Sequence, residues 1–135
     1  MSGETDLGKL LRGMRPTLNP GRYVFVSVPS GGALPGVAPV VTVAEEEGLT
    51  LVLRREEADA AGLAYGYTAA WLTLRVFSAL EAVGLTAAVA RALADAGLSC
   101  NVVAGFHHDH LFVPYDDADR AVAVLEGLAR DSGGG

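Results

Sequence analysis

LTLRVFSALEAVGLTAAVARALADAGLSCNVVAGFHHDHLFVP, residues 72–114, decides the fold. Its start belongs to AWLTLRVF (70–77), whose β-branched, aromatic and leucine content predicts a strand. In GLTAAVARALADAG (84–97), Leu85, Val89, Leu93 and Ala96 recur at helical spacing, and Gly97 stands where a left-handed helix terminator is expected. SCNVVAGF and LFVPY then read as a strand pair around HHDH (107–110). Ser78 and Glu81 also fit a capping box, which would start the helix six residues earlier. That start would place Gly84 inside the helix at a cost of ~1 kcal/mol relative to Ala, so the later start is preferred.

Upstream, TDLGKLLRGMR (5–15) sets Leu7, Leu10, Leu11 and Met14 on one face of a short helix. Ser2 or Thr5 is available as its cap and Pro16 as its stop. Asn19-Pro20-Gly21 reads as a turn, and YVFVSV (23–28) as a strand. After the SGGALPG loop, PVVTVAE and LTLVLRR form two adjacent strands flanking EEEGL, and EEADAAGL (56–63) forms a short helix. Downstream, DDADRAVAVLEGLAR closes the chain as a helix with Asp116 and Asp117 near its positive end, followed by a frayed DSGGG.

These elements repeat. A shift of 48 lays YVFVSV on WLTLRV and Pro35-Gly36-Val37 on Val83-Gly84-Leu85. A shift of 60 lays VLRREEADAA (52–61) on FVPYDDADRA (112–121), Val43 on Val103 and Leu51 on Leu111. The two shifts differ by 12 residues, the helix after Gly84 that the first half lacks. Burial of a Val or Leu contributes ~1.5–3 kcal/mol. Neither half carries many such positions, so a core shared between halves or between chains is expected.

The 135 residues are half apolar, with a net charge of −6, so one compact domain or two very small ones are expected. No Lys/Arg cluster marks a nucleic-acid or anionic-lipid partner. The single cysteine, Cys100, excludes an intramolecular disulfide and a cysteine-rich zinc site, and its apolar setting predicts an inert thiol. The acidic start MSGETDLGKLL lacks a signal-peptide pattern, and no apolar run approaches ~18 residues. A cytoplasmic protein with no membrane partner is expected.

The strand, the glycine before an Ala-rich helix, SCNVV and the DH-L-VP strand together resemble an ACT domain, the small βαββαβ module that binds amino acids. The pattern is similar to the ACT repeats of cytosolic arginine sensors and of bacterial two-repeat proteins that begin with a segment like NPGRYVFVSVP. The resemblance spans about residues 20–130. It implies an α+β fold of ferredoxin-like ACT (βαββαβ) repeats, an antiparallel sheet with helices on one face, and a first repeat lacking its first helix. The expected organisation is an N-terminal helical arm (1–20), a degenerate ACT-like repeat (21–66), an ACT domain (67–131) and a disordered tail (132–135). A fourth strand after each last helix is not evident. Residues 70–77 serving the first half, a swapped strand or a continuous sheet would supply it.

The implied function is non-enzymatic: a regulatory homodimer that binds an amino-acid-like ligand without a cofactor. By resemblance the ligand-binding residues are Ser78, Val83, Gly84, Leu85, Asn101, His108, Asp109 and His110. Main-chain groups at 83–85 would receive the ligand's head at a helix N-terminus, and Asp109 would pair with an amine or guanidinium. The first repeat has Gly48 and Leu49 opposite His108 and Asp109, so one pocket per chain is expected. Two other readings stand beside this one: a ligand-free interaction or dimerisation module, and a histidine-cluster metal site. In an unbroken strand His107 and Asp109 would face one side, His108 and His110 the other, which gives two ligands per face where zinc takes at least three. Ser78 and Ser99 carry no sign of activation as nucleophiles.

Overall fold

A computed structural model describes residues 6–31, 36–76 and 83–133. The expectations placed on Ser2, Thr5, Pro35, Ser78, Glu81 and residues 134–135 lie outside the described residues. Among the described residues six strands are formed: β1 (Arg15–Val28), β2 (Val41–Glu45), β3 (Gly48–Arg54), β4 (Thr68–Arg75), β5 (Asn101–Ala104) and β6 (Asp109–Pro114). The described residues also form the helices α1 (Leu7–Gly13), α2 (Arg55–Ala60), α3 (Leu85–Asp95) and α4 (Ala118–Gly133), with a 3-10 turn at Tyr115–Asp117. The strands form one sheet in the order β2-β3-β1-β4-β6-β5. The chain divides into two compact units, Pro20–Ala69 and the pair of segments Met1–Asn19 and Ala70–Gly135.

In Pro20–Ala69, β1 pairs antiparallel with β3 from Tyr23↔Arg54 to Val28↔Leu49, and β3 pairs antiparallel with β2. Strand alternation puts Val24, Val26, Val28, Leu51 and Leu53 on one face, where they bury together with Ala58 of α2. Among the described residues no helix lies between β1 and β2, whereas α3 lies between β4 and β5. The shortened first repeat expected from the sequence is therefore the fold observed.

In the other unit, Leu72 and Leu74 of β4 and Leu111 and Val113 of β6 alternate onto one face. Leu85, Val89 and Leu93 of α3 and Ala121 and Leu125 of α4 cover it, joined by Leu10, Leu11 and Met14 from α1 and the residue after it. The Asp6 carboxylate accepts the Lys9 N–H at 3.0 Å and caps α1. The first residues of β1 also belong here. Asn19 donates to the Trp71 carbonyl at 3.2 Å, and Arg75 donates to the Thr17 hydroxyl at 3.1 Å.

Each unit holds a buried cluster of its own. The amino-terminal helix supplies large apolar side chains that the repeat does not contain.

The turn expected at Asn19-Pro20-Gly21 does not form. These residues run inside β1, with Gly21 at φ +103° and Pro20 contributing no ladder donor. Sheet pairing on either side overrides the local turn preference. α1 ends at Gly13, before Pro16, because Met14 is already extended. α4 runs on through Asp131 and Ser132 to Gly133.

The end of α3 follows the sequence reading. Gly97 sits at φ +78°, its N–H donates to the Ala94 carbonyl and the Leu98 N–H to the Leu93 carbonyl, both at 2.9 Å. That bond pair satisfies carbonyls the helix end would leave bare.

The repeat extends to pairing register. Val41 faces Val52 in the first hairpin, and Asn101 faces Phe112 in the second, so one shift of 60 carries both partners.

Candidate functional site

β4 leads toward α3 through the junction that ends at Gly84. Gly84 precedes the helix at φ +101° and gives it no side-chain cap. The first intrahelical bond runs from the Ala88 N–H to the Gly84 carbonyl at 2.9 Å, so the earlier amides have no partner within the helix. Val83 is 84% exposed. Leu85 buries its side chain in the core, so only its main chain is free to meet a ligand. A Cβ on Gly84 would lie 3.1 Å from Cδ2 of Leu7, so α1 takes up the close approach this glycine permits.

The β5–β6 hairpin closes through a bond from the Gly105 N–H to the His108 carbonyl at 2.9 Å, with Phe106 and His107 at its tip. The expected two-sided arrangement of HHDH in an unbroken strand is thereby corrected. The turn takes up His107 and His108, and only Asp109 and His110 belong to β6. Gly105 matters for its lack of a side chain: a Cβ there would meet the His108 carbonyl oxygen at 2.7 Å and His110 Nε2 at 3.1 Å.

His110 is held by residues on β1 and β4. Its Nδ1 accepts from the Trp71 indole N–H at 3.0 Å and lies 3.4 Å from the Thr73 hydroxyl. Asn19 donates to that hydroxyl at 3.0 Å. Trp71 stacks on Phe112 with centroids 6.3 Å apart. Because Nδ1 accepts, the hydrogen-bond network assigns the proton of the neutral ring to Nε2. Burial, followed by the neighbouring His108, pushes the His110 pKa below its ordinary value, with Asp109 acting in the opposite direction.

Asp109 is half-buried opposite Ala104. Burial pushes its carboxyl pKa up, while His110 and His108 pull it down. His108 keeps a buried Nδ1 without a hydrogen-bond partner. In a folded protein such an atom is either a cost or a place for a ligand.

β5 and β6 are antiparallel and β4 adjoins β6, with Trp71 and Thr73 reaching His110. In an antiparallel sheet of this order, the end of β4 that leads to Gly84 and the β5–β6 turn share one end. The structure thus brings Val83, Gly84, Leu85, His108, Asp109 and His110 to that end. Asn101 lies away from it, three register steps along the hairpin from Asp109. Ser78 is outside the described residues.

Sequence reasoning missed Trp71, Thr73 and Asn19. The available signal was the alternation within WLTL: Leu72 and Leu74 fill the core, which leaves Trp71 and Thr73 on the opposite face.

The first repeat offers no counterpart. Gly48 stands in place of His108, and a Cβ there would lie 2.6 Å from the Val28 carbonyl oxygen. Leu49 stands in place of Asp109. Elsewhere, Cys100 packs half-buried against the core, and burial pushes its thiol pKa up to about 11, so it is protonated and a poor nucleophile at neutral pH. Among the described residues no three His, Cys, Asp or Glu side chains are grouped to hold a metal, and no helix is long and apolar enough to cross a membrane.

Two ACT domain family models match the chain, one over residues 2–70 and one over residues 67–127. No curated protein sequence matches it. Among solved structures, a Vibrio cholerae protein of unknown function is 47% identical, with 91% of this chain and 95% of that one covered and a TM-score of 0.82. An Agrobacterium tumefaciens protein is 18% identical over 86% and 89% of the two chains, at a TM-score of 0.67. The ligand-free regulatory subunit of aspartate kinase from Thermus thermophilus is 10% identical over 84% and 95%, at a TM-score of 0.63. The last two likenesses are of fold alone.

Proposed function

Because the chain belongs to the ACT domain family and carries two such domains in tandem, we propose that it is a non-enzymatic regulatory protein that binds an amino acid or a similar small molecule. ACT domains are typically regulatory ligand-binding modules. Each chain holds one pocket, between the Val83–Leu85 junction and the His108–His110 segment. The amides that open α3, which have no partner within the helix, receive the ligand carboxylate. Asp109 accepts the ligand's amine or guanidinium through a charge-assisted hydrogen bond, and that bond draws the carboxyl back toward its ionised form. The protein acts as a homodimer in the cytoplasm, and ligand binding favours one arrangement of its domains through differential affinity.

The observation that carries this reading is the unpartnered, buried Nδ1 of His108, adjacent in sequence to Asp109 and at the sheet end where α3 opens uncapped. A thermal-shift screen of the amino acids, run on the wild type and on Asp109→Ala, tests it. One or a few amino acids should raise the wild-type midpoint at millimolar concentration and leave the variant unmoved. A screen in which nothing stabilises the wild type counts against the reading.

One further observation favours a second reading, a ligand-free docking module. Val83 and Phe106 expose 84% and 81% of their surface, as interface anchors do before a partner covers them. Co-purification of a partner that is lost on Phe106→Ser, together with a silent amino-acid screen, would select it.

A further inference from the structure

We propose that the groove at the carboxyl ends of α1 and α4 is a binding site for a compact small molecule bearing two negative charges. The groove has a volume of about 390 Å³, and Arg12, Arg15 and Arg130 line it over the buried Met14. Three of the chain's ten basic residues thus face one concavity on a protein of net charge −6. A lined cleft focuses its field, so this is where an anion would concentrate on an otherwise acidic molecule.

Arg15 is preorganised. Its guanidinium donates to the carbonyls of Arg12 at 3.0 Å and Met14 at 2.9 Å, which fixes the plane from which its remaining donors project. Arg12 stands in the last turn of α1 and Arg130 in the last turn of α4. Among the described residues no carboxylate forms an ion pair with any of the three. Arg91, by contrast, pairs with Asp95 at 3.6 Å. Planar arginine forks match carboxylate and phosphoryl oxygens in pairs, and two or more forks around one space suit a ligand with two such charges.

Glu126 also lines the groove, one turn before Arg130. It opposes anion entry, so the three arginines must outweigh one carboxylate, and a second charge on the ligand gains more from that surplus. Its presence gives the proposal a signature of opposite sign. Arginines that merely complement the helix dipoles would lower stability when removed and would bind nothing. None of these residues belongs to the proposed amino-acid pocket, so either site can fail while the other stands.

Two chemistries share this charge pattern, a phosphoryl group and a dicarboxylate. The test is a calorimetric titration of the full-length protein with inorganic phosphate, with succinate and with acetate, at low ionic strength and near-neutral pH. Phosphate or succinate should saturate at about millimolar concentration or below, and which of the two binds tighter identifies the chemistry. Arg12→Gln and Arg130→Gln should each weaken binding by about tenfold, whereas Glu126→Gln should tighten it severalfold. Arg91→Gln, an exposed charge-matched control, should leave it unchanged. All four positions are exposed, so the variants should fold. The proposal is overturned if neither dianion saturates, if acetate binds as tightly, or if Glu126→Gln fails to tighten binding.

Discussion

The indole N–H of Trp71 donates to Nδ1 of His110 at 3.0 Å, and this bond orients a half-buried imidazole whose proton then resides on Nε2. The donor favours the neutral ring, and burial does the same. In an NMR titration His110 should therefore titrate below the ordinary value of 6.5. Trp71→Phe keeps a ring against Phe112 but removes the donor, so it should raise the His110 pKa. A group whose folded pKa is depressed contributes stability that is present above its unfolded value and lost as pH falls through the folded one. Unfolding midpoints should accordingly drop as the pH is lowered from about 6.5, and less so in His110→Gln.

Asp109 carries the opposite sign. Its folded pKa is raised, so stability is fully present below the ordinary value of 3.8 and lost as pH rises through the folded one. At neutral pH the ionised carboxylate is a net cost. Asp109→Asn should raise the unfolding midpoint at neutral pH, and the gain should vanish under acid. The same variant should lose the proposed amino-acid response. Thermal melts across pH, with and without ligand, separate the two effects. A variant less stable than wild type at neutral pH contradicts the assignment.

The hairpins, the α3 stripe and the shift of 60 could be read from the sequence because each rests on local periodicity or on a pattern that occurs twice. Burial at Leu85, Val89 and Leu93 needs only a 3.6-residue period to be foreseen. The contact of Trp71 with His110 joins residues 39 apart, and no spacing rule links them. Asn19-Pro20-Gly21 failed for the converse reason. Its local preference is strong, but strand pairing on both sides outweighs a turn. That Gly84 and Asp109 belong to one end of the sheet follows from strand order, a tertiary property that no local pattern encodes.

α1 illustrates the same limit and yields a stability prediction. Seven residues with leucines on one face define a helix but not its partner. In the structure Leu10 is 2% exposed and joins the cluster with Leu85, Val89, Leu93 and Leu125. Leu10→Ala should cost ~2–5 kcal/mol of unfolding free energy, as truncations in close-packed cores do. An arm lying outside the core would lose less than ~0.5 kcal/mol. Urea denaturation of the full chain discriminates the two.

Two glycines at positive φ should respond differently to alanine, because different atoms crowd them. At Gly48, φ is +154° and the new Cβ would stand 2.6 Å from the Val28 carbonyl oxygen, a backbone atom that can yield only if β1 moves. At Gly84, φ is +101° and the nearest atom, 3.1 Å away, is the tip of the Leu7 side chain, which can rotate aside. Gly48→Ala should therefore cost ~2–4 kcal/mol, the sum of backbone strain and overpacking. Gly84→Ala should cost ~1–2 kcal/mol, chiefly the left-handed backbone penalty. Ligand binding should show the reverse ranking. Gly84→Ala strains the turn into α3 and pushes Leu7 aside beside the amides that open the helix, so it should weaken the amino-acid response while the protein stays folded. Gly48→Ala should leave the response intact wherever the protein remains folded, because the first repeat has Leu49 where the second has Asp109. Denaturation midpoints and the amino-acid thermal shift, read on both variants, decide it. Equal loss of response in the two would place the ligand elsewhere.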